Sequence, residues 1–128
     1  MFVVFFVIIC RHKLFQVEFL VSLSGDVLLT LIYHRKLDQT WESAARQLAR
    51  DLQSDSDPVS VIGRSRKQKL VIGEDFMREV LPILGTDYCD RQYEQSISQP
   101  NGHVNIRMIE WACQQAAAVQ GDLLELYC

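Results

Sequence analysis

The chain has no metal-ligand spacing and none of the common catalytic signatures. Its four cysteines, Cys10, Cys89, Cys113 and Cys128, stand far apart, with no CxxC and no Cys/His pattern. That argues against a zinc site, or any metal site, and for reduced thiols in a cytosolic, cytoplasmic protein. Cys89, Cys113 and Cys128 have no basic neighbour apart from Arg91 near Cys89, so they read as packing residues rather than nucleophiles. Ser/His/Asp sets, HExxH, a phosphate-binding loop and paired carboxylates are missing, as are internal repeats and low-complexity tracts. No apolar run reaches the ~20 residues that span a bilayer. The start, Met1 to Cys10, is apolar throughout, yet it is too short to cross and lacks the basic n-region and cleavage site of a signal peptide. It reads as a buried or partner-seeking strand, with a membrane-associated segment or a gene-boundary remnant as the other readings. If exposed, it is a surface for self-association.

What is present suits one globular domain with a real core: 128 residues, 48% apolar and 23% charged. The net charge of −3 does not advertise a nucleic-acid partner, but the charge is uneven. Arg11-His12-Lys13 and His34-Arg35-Lys36 flank two apolar stretches, and Arg64-Ser65-Arg66-Lys67-Gln68-Lys69 carries four cations with no acid between them.

The two apolar stretches form a hairpin. From Leu14 to Ser22, Phe15, Val17, Phe19 and Val21 share one face while Gln16, Glu18 and Ser22 take the other. Ser24-Gly25-Asp26 is a turn, and Val27 to His34 returns. Antiparallel pairing then brings both basic triplets to one end, with Phe15 and His34 there too. His34 is expected opposite Val17 or Gln16, depending on turn length.

Asp38 to Ser54 reads as a helix capped by Asp38 or Thr40, with Trp41, Ala44, Ala45, Leu48, Ala49 and Leu52 as its apolar stripe. Val59 to Gly63 and Lys69 to Ile72 read as strands. Glu74 to Leu84 is ambiguous: Phe76, Met77, Val80, Leu81 and Ile83 fit a short helix that Pro82 breaks. Tyr88 to Ile97 reads as a strand. Pro100 opens a second helix over 101–119. The last eight residues, Gly121 to Cys128, read as a strand buried on both faces, of the kind that enters a doubly wound sheet. The glycine-rich turn expected next is absent, so the chain reads as the front part of a larger protein.

Two candidate sites emerge. The basic clusters, with Phe15 as a stacking platform, suit a phosphate-bearing partner such as RNA; solvated loop ends are the competing explanation. Gln99 and Tyr127 flank the second helix and terminal strand, where an amide and a phenol would hydrogen-bond an amino-acid or ribose moiety. The alternative for Tyr127 is a strand-end residue covering the core.

Six segments in order carry a resemblance: Arg11 to Gln16, Leu31 to Asp38, Val61 to Lys67, Arg91 to Glu94, Ser98 to Asn101, and Gly121 to Cys128. Together they resemble the bacterial tRNA (uracil-5-)-methyltransferase family, which makes 5-methyluridine in the T loop of tRNA. The resemblance implies an α+β fold: an antiparallel sheet with one or two packed helices over 11–98, facing the RNA. This leads into the first helix and strand of a Rossmann-like α/β methyltransferase domain over 99–128, with residues 1–10 unlike the family. It implies S-adenosylmethionine as cofactor, contacted by Gln99 and Tyr127. It also implies the tRNA T-arm as partner, with Phe15 and His34 in the RNA-facing region; the charge clusters add Lys36, Arg64, Arg66 and Lys67 as expected RNA contacts. The family mechanism is attack by a cysteine thiolate at uracil C6, methyl transfer to C5, and removal of the C5 proton by a glutamate. Both catalytic groups are expected beyond Cys128, so no catalytic residue is assigned and this chain alone is expected to be inactive. A stand-alone RNA-binding module and an inert globular remnant are the other readings.

Overall fold

The computed structural model describes residues 10–53, 58–122 and 124. The apolar segment 1–9, Tyr127 and most of the expected terminal strand lie outside the described residues. Within them the chain is α+β, with six strands and two helices: β1 (Leu14–Val21), β2 (Val27–Tyr33), α1 (Gln39–Leu52), β3 (Val59–Ser65), β4 (Gln68–Ile72), β5 (Phe76–Ile83), β6 (Thr86–Tyr93) and α2 (Gly102–Ala116).

The first four strands form a sheet in the order β1-β2-β3-β4. The expected hairpin is there, and β3 and β4 pair antiparallel as well. The sheet is not antiparallel throughout, however. β2 and β3 run parallel, from Val27 beside Val59 to Ile32 beside Arg64. Parallel neighbours need a long crossover, and α1 supplies it. Asp38 caps that helix, its carboxylate accepting the Trp41 N–H at 2.9 Å. The predicted stripe faces the sheet: Trp41, Ala44, Ala45 and Ala49 are buried against Leu29, Leu31, Tyr33 and Val61. Leu52, at the helix end, stays exposed.

Small residues let the helix approach closely. Gly63 lies under the Trp41 indole, and a Cβ there would stand 2.3 Å from a Trp41 ring carbon. Trp41 in turn meets Tyr33 edge-on, with ring centroids 6.0 Å apart.

The opposite face of the sheet buries Leu28 and Ile62 against Met77 of a second, two-stranded sheet, β5–β6. Here the helical reading of Glu74 to Leu84 fails. Met77, Glu79, Leu81 and Ile83 are buried and alternate with more exposed neighbours, a period of two. Glu79 disguised it: its carboxylate is buried because it accepts the Leu23 N–H at 2.9 Å. Pro82 is tolerated in a two-stranded ribbon, where every strand is an edge.

α2 starts as expected, with Asn101 accepting the Val104 N–H at 3.1 Å. No residue of α2 is buried, so one helix is firmly packed rather than two.

Gly63→Ala should force the indole outward and destabilise the fold by about 1–3 kcal/mol. Urea unfolding would show a lower midpoint at an unchanged m-value; an unchanged midpoint would mean that the helix–sheet contact is loose.

Candidate nucleic-acid interface

Parallel pairing puts the carboxyl ends of β2 and β3 at the same end of the sheet. β1 begins at that end, since it is antiparallel to β2. Three cationic segments therefore converge: Arg11 to Lys13, His34 to Lys36, and the β3–β4 turn. The turn is tight, because Ser65 pairs with Gln68 and leaves Arg66 and Lys67 exposed at its tip.

The segments are tied together by main-chain contacts. Gln68 clips the loop after β2 from both sides: its Oε1 accepts the Leu37 N–H at 2.9 Å, and its Nε2 donates to the Leu37 carbonyl at 3.2 Å. The Ser65 hydroxyl donates to the Arg35 carbonyl. Arg35 Nε donates to the His12 carbonyl at 3.0 Å, and its guanidinium lies 5.3 Å from the centre of the Tyr33 ring. Burial pushes the Tyr33 phenol up to about 12, so it stays protonated and donates to the Cys10 carbonyl at 2.7 Å. Between these braces lies a cleft of about 580 Å³, lined by His34, Arg35, Lys36, Ser65, Arg66, Lys67 and Gln68.

Phe15 stands beside the cleft, in contact with His34, with ring centroids 4.4 Å apart. The hairpin register differs from the expected one. Leu14 pairs with Tyr33 and Gln16 with Ile32, so a bulge absorbs Phe15, and His34 faces neither Val17 nor Gln16. The loop between β1 and β2, 22–26, is longer than the two or three residues expected. Phe15 is 63% exposed, and Val17, Phe19 and Val21 are exposed with it, so none of the four joins a core face among the described residues.

Backbone strain accompanies the cations. Arg66 has φ 49° and Lys13 φ 54°, a region that costs a side-chain-bearing residue energy and that turns usually fill with glycine or asparagine.

Not every cation of the run faces the cleft. Arg64 forms a two-pronged ion pair with Glu94 of the segment after β6, at 2.5 and 2.6 Å. Lys69 reaches Asp75 at 3.0 Å and Glu94 at 3.5 Å. These contacts lock β5–β6 to the first sheet. The Arg64 hydrogen bonds hold the Glu94 carboxyl below the usual carboxylate range, and its side chain is 2% exposed.

Gln99 is placed elsewhere. It lines a separate cavity of about 250 Å³ with Leu20, Val21, Glu79, Gln92 and His103, and its Nε2 lies 3.5 Å from the Met108 sulfur. That cavity is at the Val21 end of β1, roughly 20 Å along the strand from Phe15. Tyr127 lies outside the described residues. Among the described residues no group of three or more His, Cys, Asp or Glu could hold a metal ion, and no helix is long and apolar enough to cross a membrane. Cys10 is buried, and burial raises its pKa, the reverse of an activated thiol.

The clip by Ser65 and Gln68 and the Arg64–Glu94 lock were not foreseen. Their one signal was that Ser65 and Gln68 punctuate an otherwise cationic run.

Residues 8–128 match the family described as tRNA (Uracil-5-)-methyltransferase. The chain belongs to this family. A tRNA/tmRNA (uracil-C(5))-methyltransferase of Yersinia enterocolitica is 48% identical over 94% of this chain and 33% of its own length. The enzymes of the same name from Aromatoleum aromaticum and Dechloromonas aromatica are 52% and 50% identical, each over 92% of this chain and 31% of their own. The chain thus spans about a third of the length of the curated relatives it matches.

The Arg64–Glu94 pair gives stability a pH dependence of known sign. A depressed carboxyl stabilises the fold fully above the unfolded Glu pKa of about 4.3, and this is lost as pH falls through the folded value. Thermal melts should show Glu94→Gln melting lower than the parent at pH 7, with the gap closing below about pH 4. A gap constant across the range would mean that the pair contributes no pH-linked stability.

Proposed function

We propose that this chain is the RNA-gripping part of an S-adenosylmethionine-dependent methyltransferase that forms 5-methyluridine in the T loop of tRNA, working in the cytoplasm. The observation that carries the reading is the cleft, where Lys36, Arg66 and Lys67 converge beside the exposed Phe15–His34 pair in a chain whose net charge is −3. Cations on clipped loops suit the phosphates of a folded RNA arm, and an exposed ring suits an unstacked loop base. Arg64, engaged by Glu94, serves the grip by holding β5–β6 in place.

S-adenosylmethionine would supply the methyl group, and Gln99 and Tyr127 are the proposed contacts. The cavity at Gln99 is smaller than the ~300–1,000 Å³ of a typical small-molecule site, so it fits as one wall of a larger one. On this reading residues 11–98 are the RNA-facing domain and 99–128 open a Rossmann-like methyltransferase domain. The chain alone binds RNA without methylating it.

Binding of a T-arm stem-loop, followed by fluorescence anisotropy across a salt series, tests this. Replacing Lys36, Arg66 and Lys67 by Ala should weaken binding and lower the salt slope by about one per phosphate contact removed. Phe15→Ala should cost ~1–3 kcal/mol of binding with the slope unchanged, and without lowering the melting temperature. Unchanged affinity in a folded triple variant would overturn the reading and leave an inert remnant as the better description.

A further inference from the structure

Lys36 is pinned on both sides. The carbonyl of the preceding Arg35 accepts the Ser65 hydroxyl. The following Leu37 is held at both of its main-chain groups by the Gln68 carboxamide, at 2.9 and 3.2 Å. Ser65 and Gln68 are themselves a register pair of β3 and β4, and Arg66 and Lys67 are the two residues between them. The residues that tie down one cationic segment therefore bracket the other. Leu37 is also anchored by its buried side chain, so the ties end in the core. Both ties are uncharged. Lys36, Arg66 and Lys67 line one cleft and repel one another. A carboxylate at position 65 or 68 would hold the loop by charge but would cancel a cation. A hydroxyl and a carboxamide fix the spacing and leave the full positive charge to the ligand.

We propose that Gln68, together with Ser65, is a positioning residue that makes the cleft selective for folded RNA, by fixing the spacing of Lys36 from Arg66 and Lys67. The inference rests on the RNA-gripping reading. A folded arm presents its phosphates at set distances, so it gains from cations already held in place. An unstructured strand bends its phosphates to meet cations wherever they lie. Without the ties, the loop must be ordered when the folded arm binds, while the flexible strand loses little. No cation is removed, so the number of counterions released stays the same.

Gln68→Met keeps the length of the side chain and removes both bonds to Leu37. Ser65→Ala removes the bond to Arg35 and serves as the second variant should the first not fold. Binding of a T-arm stem-loop and of an unstructured RNA of equal length, followed by fluorescence anisotropy across a salt series, tests each against the parent chain. The stem-loop should bind either folded variant about three- to tenfold more weakly. The unstructured strand should bind as it does to the parent, and neither salt slope should change. Amide exchange at Leu37 should quicken in Gln68→Met, reporting the broken tie. A role in stability alone would lower the melting temperature and leave the ratio of the two affinities as it was, and that outcome overturns the proposal. If the ratio holds in both variants while the Lys36, Arg66 and Lys67 triple variant loses affinity, the positioning role fails and the RNA-gripping reading stands. If the triple variant binds like the parent, both fail.

Discussion

The parallel pairing of β2 with β3 is the constraint on which the rest depends. Two parallel neighbours cannot be joined by a tight turn, so the chain must leave the sheet and return over its face, which is what α1 does. The return is possible at this closeness because Gly63 offers no Cβ to the Trp41 indole and because Ala44, Ala45 and Ala49 keep the rest of the helix surface low. Had β3 run antiparallel to β2, its turn into β4 would emerge at the far end of the sheet. Arg66 and Lys67 would then sit a strand's length from His34 and Lys36. One helix–sheet contact thus decides whether the cations form a cleft or two unrelated loop ends.

A second constraint refines the cleft. Gathering like charges is unfavourable, and the chain offsets it with neutral clips: Ser65 and Gln68 bond to carbonyl and amide groups of the facing loop, while Arg35 is directed to main-chain carbonyls. Cations that would crowd the site are removed to ion pairs on the other side, Arg64 with Glu94 and Lys69 with Asp75. The left-handed backbone at Lys13 and Arg66 recurs at Leu84 and Gln95, away from the cleft, so it marks tight turns rather than the site. The cavity at Gln99 lies at the other end of β1, so the proposed grip and the proposed cofactor contact would be separated along a single strand.

Much of this was legible in the residues. Asp38 announced the first helix start and Pro100 the approach of the second, which Asn101 caps, and alternation over Leu14 to Ser22 followed by the turn at 24–26 announced the β1–β2 hairpin with its two basic triplets at one end. What escaped reading has physical reasons. Val27 to Tyr33 is a nearly continuous apolar run buried on both faces, a pattern that parallel neighbours favour, but the turn at 24–26 marked only its antiparallel partner β1 and left the second neighbour unmarked. The β5 period was hidden by Glu79, whose burial depends on an amide 56 residues away in sequence. Phe15 looks like core because it alternates with Val17, Phe19 and Val21, but among the described residues nothing covers these side chains and all four are exposed. Arg64 looked like one more cation of a run until Glu94, 30 residues on, claimed it.

The most direct test of the cleft is photo-crosslinking of a 5-iodouridine-substituted T-arm stem-loop to the chain, with the adducts mapped by peptide mass spectrometry. Convergence of the three cationic segments beside Phe15 predicts adducts at Phe15 and His34 and on the turn that carries Arg66 and Lys67. Adducts confined to β5–β6 or to α2 would contradict it.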